Sequence, residues 1–256
     1  SISILLDFVQ KKSKEYLINN ENILKYLLER KLDKDIIEKF NLGYLQKGSK
    51  EFYDKLINKG FKKEILIKSG LFIEGDNIYS RFNERILFPI YSISNRIIGF
   101  GGRILNNDKK TAKYINSPET LLYQKSKVLY GLNFAKTEII KSDNCYLVEG
   151  YLDVISLHQK KITNVVASSG TAITSDQIRL IKRFSNSITI LFDSDQAGIN
   201  AAIRVIDVAL SLNMYVNVIK LPEGHDPDSF SKAIDNTTLK NFLQDKKQDF
   251  LSFISN

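Results

Sequence analysis

Short apolar strands alternate with helical segments between residues 144 and 228, and this alternation constrains the fold more than any other sequence feature. The pattern predicts strands at 145–148, 164–167, 187–192 and 214–221, and helices at 152–159, 175–183 and 196–212. Repeated strand–helix units build a parallel sheet, because each helix carries the chain back to start the next strand. We therefore expect an α/β fold with a central parallel sheet in this region.

Acidic residues follow three of these strands. They are Glu149, Asp153, Asp193, Asp195, Asp226 and Asp228. The carboxyl ends of parallel strands share one edge, where α/β proteins place functional residues. Residues two apart in an extended segment point to the same side, so Asp193 and Asp195 can face one ion. Like charges gathered in this way repel unless a cation is present, and Mg²⁺ prefers oxygen ligands. The alternative for any single acid, including Asp153 at a helix start, is an ordinary cap or turn residue.

The amino-acid composition excludes several classes of protein. The 256 residues include 37 Lys+Arg and 29 Asp+Glu, a net charge of +8, which raises the expectation of a nucleic-acid partner only slightly. The one cysteine, Cys145, excludes an intramolecular disulfide and fits a reducing cytoplasm. One cysteine and two histidines also exclude an ordinary structural zinc site. With no apolar run of about 18 residues we expect no membrane span.

The amino-terminal part has a different pattern of apolar and polar residues. Apolar spacing predicts helices up to about residue 70, and the runs 86–90 and 96–100, joined by polar residues at 92–95, predict a β-hairpin. Basic and polar candidates for phosphate contacts surround this hairpin. They are Arg81, Arg85, Arg103, Lys113, Asn116, Lys125 and Lys127. The arginines among them could bind phosphate oxygens, because a guanidinium matches their geometry. The alternative interpretation is that these residues only form a charged face exposed to solvent. The chain has no P-loop pattern.

Two acidic motifs carry a resemblance to a known family. EGYLDV at 149–154 and DSD at 193–195 resemble the TOPRIM domain, the metal-binding fold of primases, topoisomerases, some nucleases and recombination-repair proteins. ASSGTA at 167–172 and LPEGHDPD at 221–228 are similar to the motifs that accompany it in bacterial DNA primases.

Upstream motifs extend the resemblance in collinear order over almost the whole chain. RFNERILFPI at 81–90, IGFGGR at 98–103 and KYINSPET at 113–120 are similar to the primase polymerase core, as are YLLER at 26–30 and FNLGY at 40–44. The chain departs from the pattern at three positions. Asn83 stands where a further Arg is usual, Ser194 where Gly is frequent, and His225, which we interpret as a loop residue, where an acid is common.

The resemblance implies a DNA-dependent RNA polymerase that makes short RNA primers from NTPs on single-stranded DNA, passing through a primer–template hybrid. It implies that Glu149, Asp193 and Asp195 are catalytic, with Asp153 as a supporting carboxylate. Mg²⁺ or Mn²⁺, in two or more ions, would be held by Glu149, Asp193, Asp195, Asp226 and Asp228. The basic candidates would form a ridge beside this acidic rim and hold the triphosphate or the template–primer backbone.

The resemblance also implies a domain organisation. We expect an α+β lobe at 1–143 with the basic motifs, the TOPRIM domain at 144–228 and the start of a helical tail at 229–256. The family's zinc module and helicase-binding domain are absent, and the chain begins at Ser1 without a methionine, so we expect a monomeric polymerase-core fragment. The replicative helicase would then be a partner only through the missing domain.

Two other functions stay open from the sequence. A TOPRIM nuclease or topoisomerase-like fragment shares the acids but does not account for the basic motifs at 81–90 and 113–120. A non-catalytic single-strand-binding or scaffold module would need neither the acids nor a metal.

Overall fold

The computed structural model describes residues 1–75, 78–105, 111–170 and 172–255. Thr171, which belongs to the motif at 167–172, lies outside the described residues. The chain forms two compact units, Ser1–Gln124 and Lys125–Asn256. Residues 125–143, which the sequence assigned to the first lobe, lie in the second unit. The proposed extents 1–143, 144–228 and 229–256 therefore stay predictions about family domains and differ from the compact units.

The first unit consists of helices followed by an antiparallel sheet. Its elements are α1 (Ile2–Ile18), α2 (Glu21–Glu29), α3 (Lys34–Lys39), β1 (Gly43–Leu45), α4 (Ser49–Asn58), α5 (Lys63–Lys68), β2 (Phe72–Glu74), β3 (Ile78–Ser80), β4 (Arg85–Tyr91), β5 (Ile97–Ile104) and β6 (Tyr114–Asn116). The sheet has the strand order β1-β4-β5-β6, and β2 pairs with β3 separately. The apolar face of α1 packs on this sheet through Leu5, Leu6 and Val9, which contact a core that includes Phe82 and Phe100.

The predicted hairpin is confirmed as β4 and β5, which pair antiparallel. Its turn is closed by a hydrogen bond from the Ser92 amide to the Arg96 carbonyl, 2.8 Å. Asn95 has φ +62°, a left-handed conformation that Asn tolerates better than most residues. Strand β1, only three residues long, interrupts the region predicted as helical, because such a short strand has too few residues to show a period-two pattern.

The second unit contains the predicted strand–helix alternation. Its elements are a 3₁₀ helix (Lys125–Lys127), α6 (Leu132–Ser142), β7 (Cys145–Val148), α7 (Tyr151–Gln159), β8 (Val165–Ala167), α8 (Ser175–Lys182), β9 (Ser187–Ile190), α9 (Gln196–Ser211), β10 (Tyr215–Val218), α10 (Pro227–Ala233), α11 (Asn236–Asp245), β11 (Gln248–Asp249) and α12 (Phe250–Ile254). The α/β prediction is confirmed, since β10, β9, β7 and β8 run parallel in the order β11-β10-β9-β7-β8.

The register of this sheet aligns the strand ends that matter for function. Ile190 of β9 pairs with both Leu147 of β7 and Val218 of β10. Strand β11 adds an antiparallel edge to β10 that the sequence did not predict. Among the helices of the described ranges, none combines the length and the apolar character that crossing a membrane requires.

Candidate active site

The acidic candidates of the second unit gather at the carboxyl edge of its sheet. The aligned ends of β7, β9 and β10 bring Glu149, Asp193, Asp195 and Asp226 close enough for their charges to repel one another. Partial burial strengthens this repulsion, because water screens half-buried charges less than exposed ones. The structure therefore brings together the carboxylates that the sequence placed after three separate strands.

Glu149 stands at the turn from β7 into α7 and is half-buried. Its Oε1 accepts a hydrogen bond of 3.4 Å from the Asp193 amide, and its carbonyl accepts one of 3.0 Å from the Ser169 amide. Burial raises the pKa of Glu149, and the charge of Asp195 raises it further, while the bond from the Asp193 amide opposes the shift. The side chain is thus tied to the loop that carries the aspartate pair.

The pKa of Asp193 is strongly raised. Burial, and then the charges of Glu149, Asp226 and Asp195, raise its pKa to about 7. Within the described residues no hydrogen bond or ion pair reaches its carboxylate oxygens. A half-buried carboxylate without a proton donor, surrounded by other acids, is a typical feature of a functional site.

Asp195 and Asp226 occupy equivalent places, each at the start of a helix. Asp195 Oδ1 accepts from the Gly198 amide at 2.8 Å and caps α9, and Asp226 Oδ1 accepts from the Ser229 amide at 2.6 Å and caps α10. Each cap uses one carboxylate oxygen. In the described part of the chain the other oxygen of each has no hydrogen-bond partner, so it is free for a further ligand.

Asp153 and Asp228 lie behind this edge, 7% and 5% exposed. Asp153 Oδ2 accepts from the Gly150 amide at 2.8 Å and its Oδ1 accepts from the Asp228 amide at 3.2 Å, so it joins the turn after β7 to the start of α10. Burial raises the pKa of Asp153 well above its ordinary value. The Asp228 carboxylate accepts from Ser156 and forms an ion pair with Lys232. These two acids are therefore already engaged with protein groups.

The sequence analysis gave no role to three polar residues of this region, of which it named only Ser194. Ser156 and Lys232 hold Asp228, and Ser194 bonds to the loop before Asp226. Lys232 follows Asp228 by four residues, a spacing typical of helical ion pairs that could have suggested it. His225 lies in that loop, as expected, with Nδ1 3.2 Å from Ser229 Oγ and its ring against Phe230.

The donor chemistry of the edge fits a hard divalent cation. Four residues offer carboxylate oxygens: Glu149, Asp193, Asp195 and Asp226. A bound cation would relieve the repulsion between their charges. Among the described residues, however, no group of three or more His, Cys, Asp or Glu side chains has the arrangement of a finished metal site. The residues fit the ion by the chemistry of their oxygens, and a complete ligand set would require their side chains to move closer together.

The basic candidates of the first unit differ in exposure. Arg85 is 5% exposed, and its guanidinium donates to the carbonyls of Gly102, Lys113 and Ala112 at 3.4, 3.2 and 3.0 Å. These bonds tie β4 and β5 to the segment that leads into β6. Burial lowers the pKa of Arg85. Its predicted contact with NTP or template stays a prediction, and the structure gives it a packing role as well.

Arg103, 8% exposed, lies between two tyrosine rings. Its guanidinium carbon is 5.2 Å from the Tyr26 ring centre and 5.8 Å from that of Tyr114, and it donates a hydrogen bond to the Tyr26 hydroxyl. The Arg103 Nε has no hydrogen-bond partner among the described residues. Stacked arginines are held in a fixed plane, which suits recognition of phosphate oxygens.

The remaining basic and polar candidates are more accessible. Arg81 is half-buried, with Nε donating to the Gly70 carbonyl at 3.0 Å, and burial lowers its pKa. Lys113 is exposed, and Asn116 is half-buried on β6, opposite Gly101. Asn83 Oδ1 is buried without a hydrogen-bond partner in the described ranges.

Lys125 belongs to the second unit together with Lys127, in the 3₁₀ helix. The Lys125 carbonyl accepts from Gln177 Nε2 at 3.1 Å, which attaches this helix to α8. The backbone is thus fixed while the Lys127 side chain is exposed to solvent.

Comparison with known protein families gives two matches. A family model described as the N-terminal domain of the DNA primase catalytic core matches residues 12–136. A Toprim-like family model matches residues 146–231, which include every acidic candidate.

Individual proteins agree with these matches. The DNA primase of Clostridium acetobutylicum is 41% identical over 215 residues, 84% of this chain and 36% of that protein. The crystal structure of a DNA primase domain from Pseudomonas aeruginosa is 33% identical with a TM-score of 0.91, covering 99% of this chain and 81% of that chain. A DnaG primase catalytic domain bound to single-stranded DNA is 33% identical with a TM-score of 0.85, covering 95% and 78%. The chain thus spans about a third of the length of the curated relative.

Proposed function

The chain belongs to the DNA primase family, and from this premise we propose that it is the catalytic core of a DNA-dependent RNA polymerase that makes short RNA primers on single-stranded DNA. The observation that carries the proposal is the grouping of Glu149, Asp193, Asp195 and Asp226 at one sheet edge, within the Toprim-like match. We propose cytoplasmic location in the bacterial replisome, and action as a monomeric core.

We assign a Mg²⁺ or Mn²⁺ site, of two or more ions, to Glu149, Asp193, Asp195 and Asp226. When bound, such ions supply positive charge beside the attacking hydroxyl and the leaving pyrophosphate of a phosphoryl transfer. Asp153 and Asp228 support these ligands from behind, because their oxygens already bond to Gly150, Ser156 and Lys232. The direct metal contact expected of Asp228 from the sequence stays a prediction beside this supporting role.

The reaction we propose is attack of a nucleotide 3′-hydroxyl on the α-phosphate of the next NTP. The chain's own contribution is positioning and electrostatic stabilisation, since phosphoryl transfer needs no protein nucleophile. The phosphates would be held by the basic candidates Arg81, Arg103, Lys113, Asn116, Lys125 and Lys127, with Arg85 keeping its strand in place. Arg103 is suited to this because its two tyrosine neighbours limit its motion.

Single-stranded DNA and NTPs are the proposed partners. A DNA template is supported by the similar primase catalytic domain whose structure contains single-stranded DNA. A primer–template hybrid follows from the reaction. Contact with a replicative helicase is proposed only for the longer protein, through the domain that the sequence resemblance implies.

The nuclease or topoisomerase-like alternative shares the acidic edge but has less support. The match of residues 12–136 to a primase catalytic-core domain covers the basic motifs that a generic Toprim enzyme leaves unaccounted for. A non-catalytic binding module gives no reason for a half-buried Asp193 whose carboxylate has no partner among the described residues.

The test is synthesis itself. Purified chain, labelled NTPs, a single-stranded DNA template and Mg²⁺ or Mn²⁺ should give oligoribonucleotides. Asp193→Asn and Asp195→Asn should lose at least about 100-fold of the activity, the order of effect of removing one electrostatic contact from a transition state. The control is Asp207→Asn, an exposed substitution on α9, which should keep full activity. No product with either metal, or full activity of an acidic-edge variant, would contradict the proposal.

A further inference from the structure

We infer that Ser194 is a positioning residue, which holds the loop of Asp226 against the loop of Asp193 and Asp195. The inference rests on the proposed metal-dependent function and adds to it a residue with no carboxylate of its own. Ser194 lies between the two aspartates, at the position where the sequence motif departs from the frequent glycine.

Ser194 bonds to the backbone of the loop that precedes Asp226. Its Oγ accepts from the Gly224 amide at 3.1 Å and donates to the His225 carbonyl at 3.3 Å. The Ser194 amide donates to the same carbonyl at 3.4 Å. In the described part of the chain no other side chain makes a hydrogen bond across these two loops. The serine hydroxyl thus supplies two of the bonds between them.

Asp226 is consequently fixed from two directions. Its own helix, α10, is attached to α7 because the Asp228 amide donates to Asp153 and the Asp228 side chain accepts from Ser156. The loop that leads into α10 is attached to the β9 end by Ser194. The approach of Asp226 to the aspartate pair is therefore set by one bond network on each side.

Repulsion between the carboxylates explains why this attachment matters. Without a cation, Asp193, Asp195 and Asp226 repel one another and favour separation of the two loops. The loop at 222–225 is mostly exposed, and its own contacts are local: the His225 amide donates to the Pro222 carbonyl at 3.2 Å, and the His225 ring contacts Ser229 and Phe230. Ser194 opposes this separation. The free-energy cost of bringing the carboxylates together is then part of folding and does not weaken metal binding.

The experiment measures Mn²⁺ affinity of the purified chain by electron paramagnetic resonance of free Mn²⁺, together with thermal unfolding in EDTA. Ser194→Ala removes both Oγ bonds and should raise the Mn²⁺ dissociation constant about tenfold or more, as for other residues that orient metal ligands. Ser194→Thr keeps a hydroxyl at the same place and should bind within about twofold of wild type.

The matched control is Ser185→Ala, at the opposite end of β9. The one hydroxyl hydrogen of Ser185 has two acceptors in reach, Asp143 Oδ1 at 2.9 Å and the Ser187 carbonyl at 3.0 Å, and Oγ accepts from the Ser187 amide at 2.9 Å. The substitution therefore removes a donated and an accepted bond, as Ser194→Ala does. It should lower the unfolding temperature but leave Mn²⁺ affinity within about twofold, because it lies away from the carboxyl edge. If Ser194→Ala does not fold, Ser194→Gly and Ser194→Thr give the same comparison.

The outcomes separate the inference from the proposed function. Wild-type affinity in Ser194→Ala, or equal loss in the Ala and Thr variants or in Ser185→Ala, overturns the positioning role while the metal site stands. A wild-type chain that binds no Mn²⁺ overturns the proposed metal site, and the role of Ser194 with it.

Discussion

Asp193 combines burial, like-charged neighbours and the lack of a proton donor within the described residues. Asp195 and Asp226 each have a backbone amide to stabilise one oxygen, whereas the Asp193 carboxylate has none. A charged Asp193 therefore costs free energy in the metal-free fold, and this cost should be measurable.

The pH dependence of stability should reveal this cost. The pKa of Asp193 is about 7 in the folded chain against an ordinary 3.8, so the folded state holds an additional proton between these values. Stability of the metal-free chain should therefore fall as pH rises from about 4 to 7. Asp193→Asn should weaken that fall and stabilise the chain at pH 8 by about 1–2 kcal/mol, less than the full shift implies because the site is partly solvated.

Urea unfolding in EDTA from pH 5 to pH 8 measures this effect. Asp207→Asn, an exposed change on α9, is the control and should follow the wild-type curve. A wild-type curve with no decline, or an Asp193→Asn variant that is less stable at pH 8, would show that Asp193 is not under repulsion.

The side-chain type of Arg85 suggested a phosphate contact, and its surroundings in the fold add a structural role. Arg85→Ala removes three charge-assisted bonds from a buried guanidinium to backbone carbonyls. We expect a loss of about 2–3 kcal/mol in the free energy of unfolding. Arg96→Ala, an exposed change in the β4–β5 turn, should cost less than about 0.5 kcal/mol. Thermal unfolding compares the two, and equal stability would mean that the Arg85 bonds do not support the sheet.

At the scale of elements, the turn from β9 into α9 sets the aspartate pair. A Cβ on Gly198 would lie 2.3 Å from the Asp193 carbonyl oxygen, so only glycine allows the helix to start this close to the loop. The Gly198 amide also donates the bond that caps α9 through Asp195. The helix start and the two carboxylates thus form one rigid turn.

Gly198→Ala should disturb this turn. The backbone clash should cost about 1–3 kcal/mol of stability and lower Mn²⁺ affinity, because both aspartates would shift. Gln196→Ala, in the same helical turn, removes only an exposed bond of 3.2 Å to Asn200 and should change neither. Calorimetric unfolding and Mn²⁺ titration test this. A Gly198→Ala variant with wild-type affinity would contradict the dependence of the site on the turn.

The parallel sheet was predictable from sequence because its strands are apolar runs at regular spacing, and β7 has the predicted bounds 145–148. The acidic edge could be predicted from chain order, since Glu149 directly follows β7, and Asp193 and Asp226 lie in the loops after β9 and β10. Strands β1 and β11 were not predictable, because two or three residues show no periodicity. The engagement of Asp228 with Ser156 and the bonds of Ser194 depend on which loops meet, and single-sequence patterns do not contain that information.

Across the whole molecule, the net charge of +8 does not show that basic and acidic motifs occupy different parts of the chain. Basic motifs lie between residues 81 and 127, and the acids of the proposed metal site between 149 and 228. We expect the basic residues to contact the DNA backbone, so that binding to single-stranded DNA releases counterions. With three to five phosphate contacts, affinity should fall about 20- to 100-fold between about 50 and 200 mM salt.

Fluorescence anisotropy with a labelled oligonucleotide measures this salt dependence. Lys113→Ala should reduce the slope of log affinity against log salt by about 0.7, the value for one phosphate contact. Lys141→Ala is the control, since Lys141 is exposed, lies outside the basic motifs and pairs with Glu138. Affinity that does not change with salt would exclude backbone contacts as the basis of binding.

The proposed function depends on a divalent-metal site at the carboxyl edge of the sheet. The most direct measurement is an anomalous difference map from a crystal of the chain soaked in Mn²⁺. Metal bound at this edge should give a peak at about 2.0–2.3 Å from carboxylate oxygens of Glu149, Asp193, Asp195 or Asp226, a distance typical of hard-cation ligands. Strong peaks elsewhere with none at these four carboxylates, in a crystal where the edge is accessible to solvent, would contradict it.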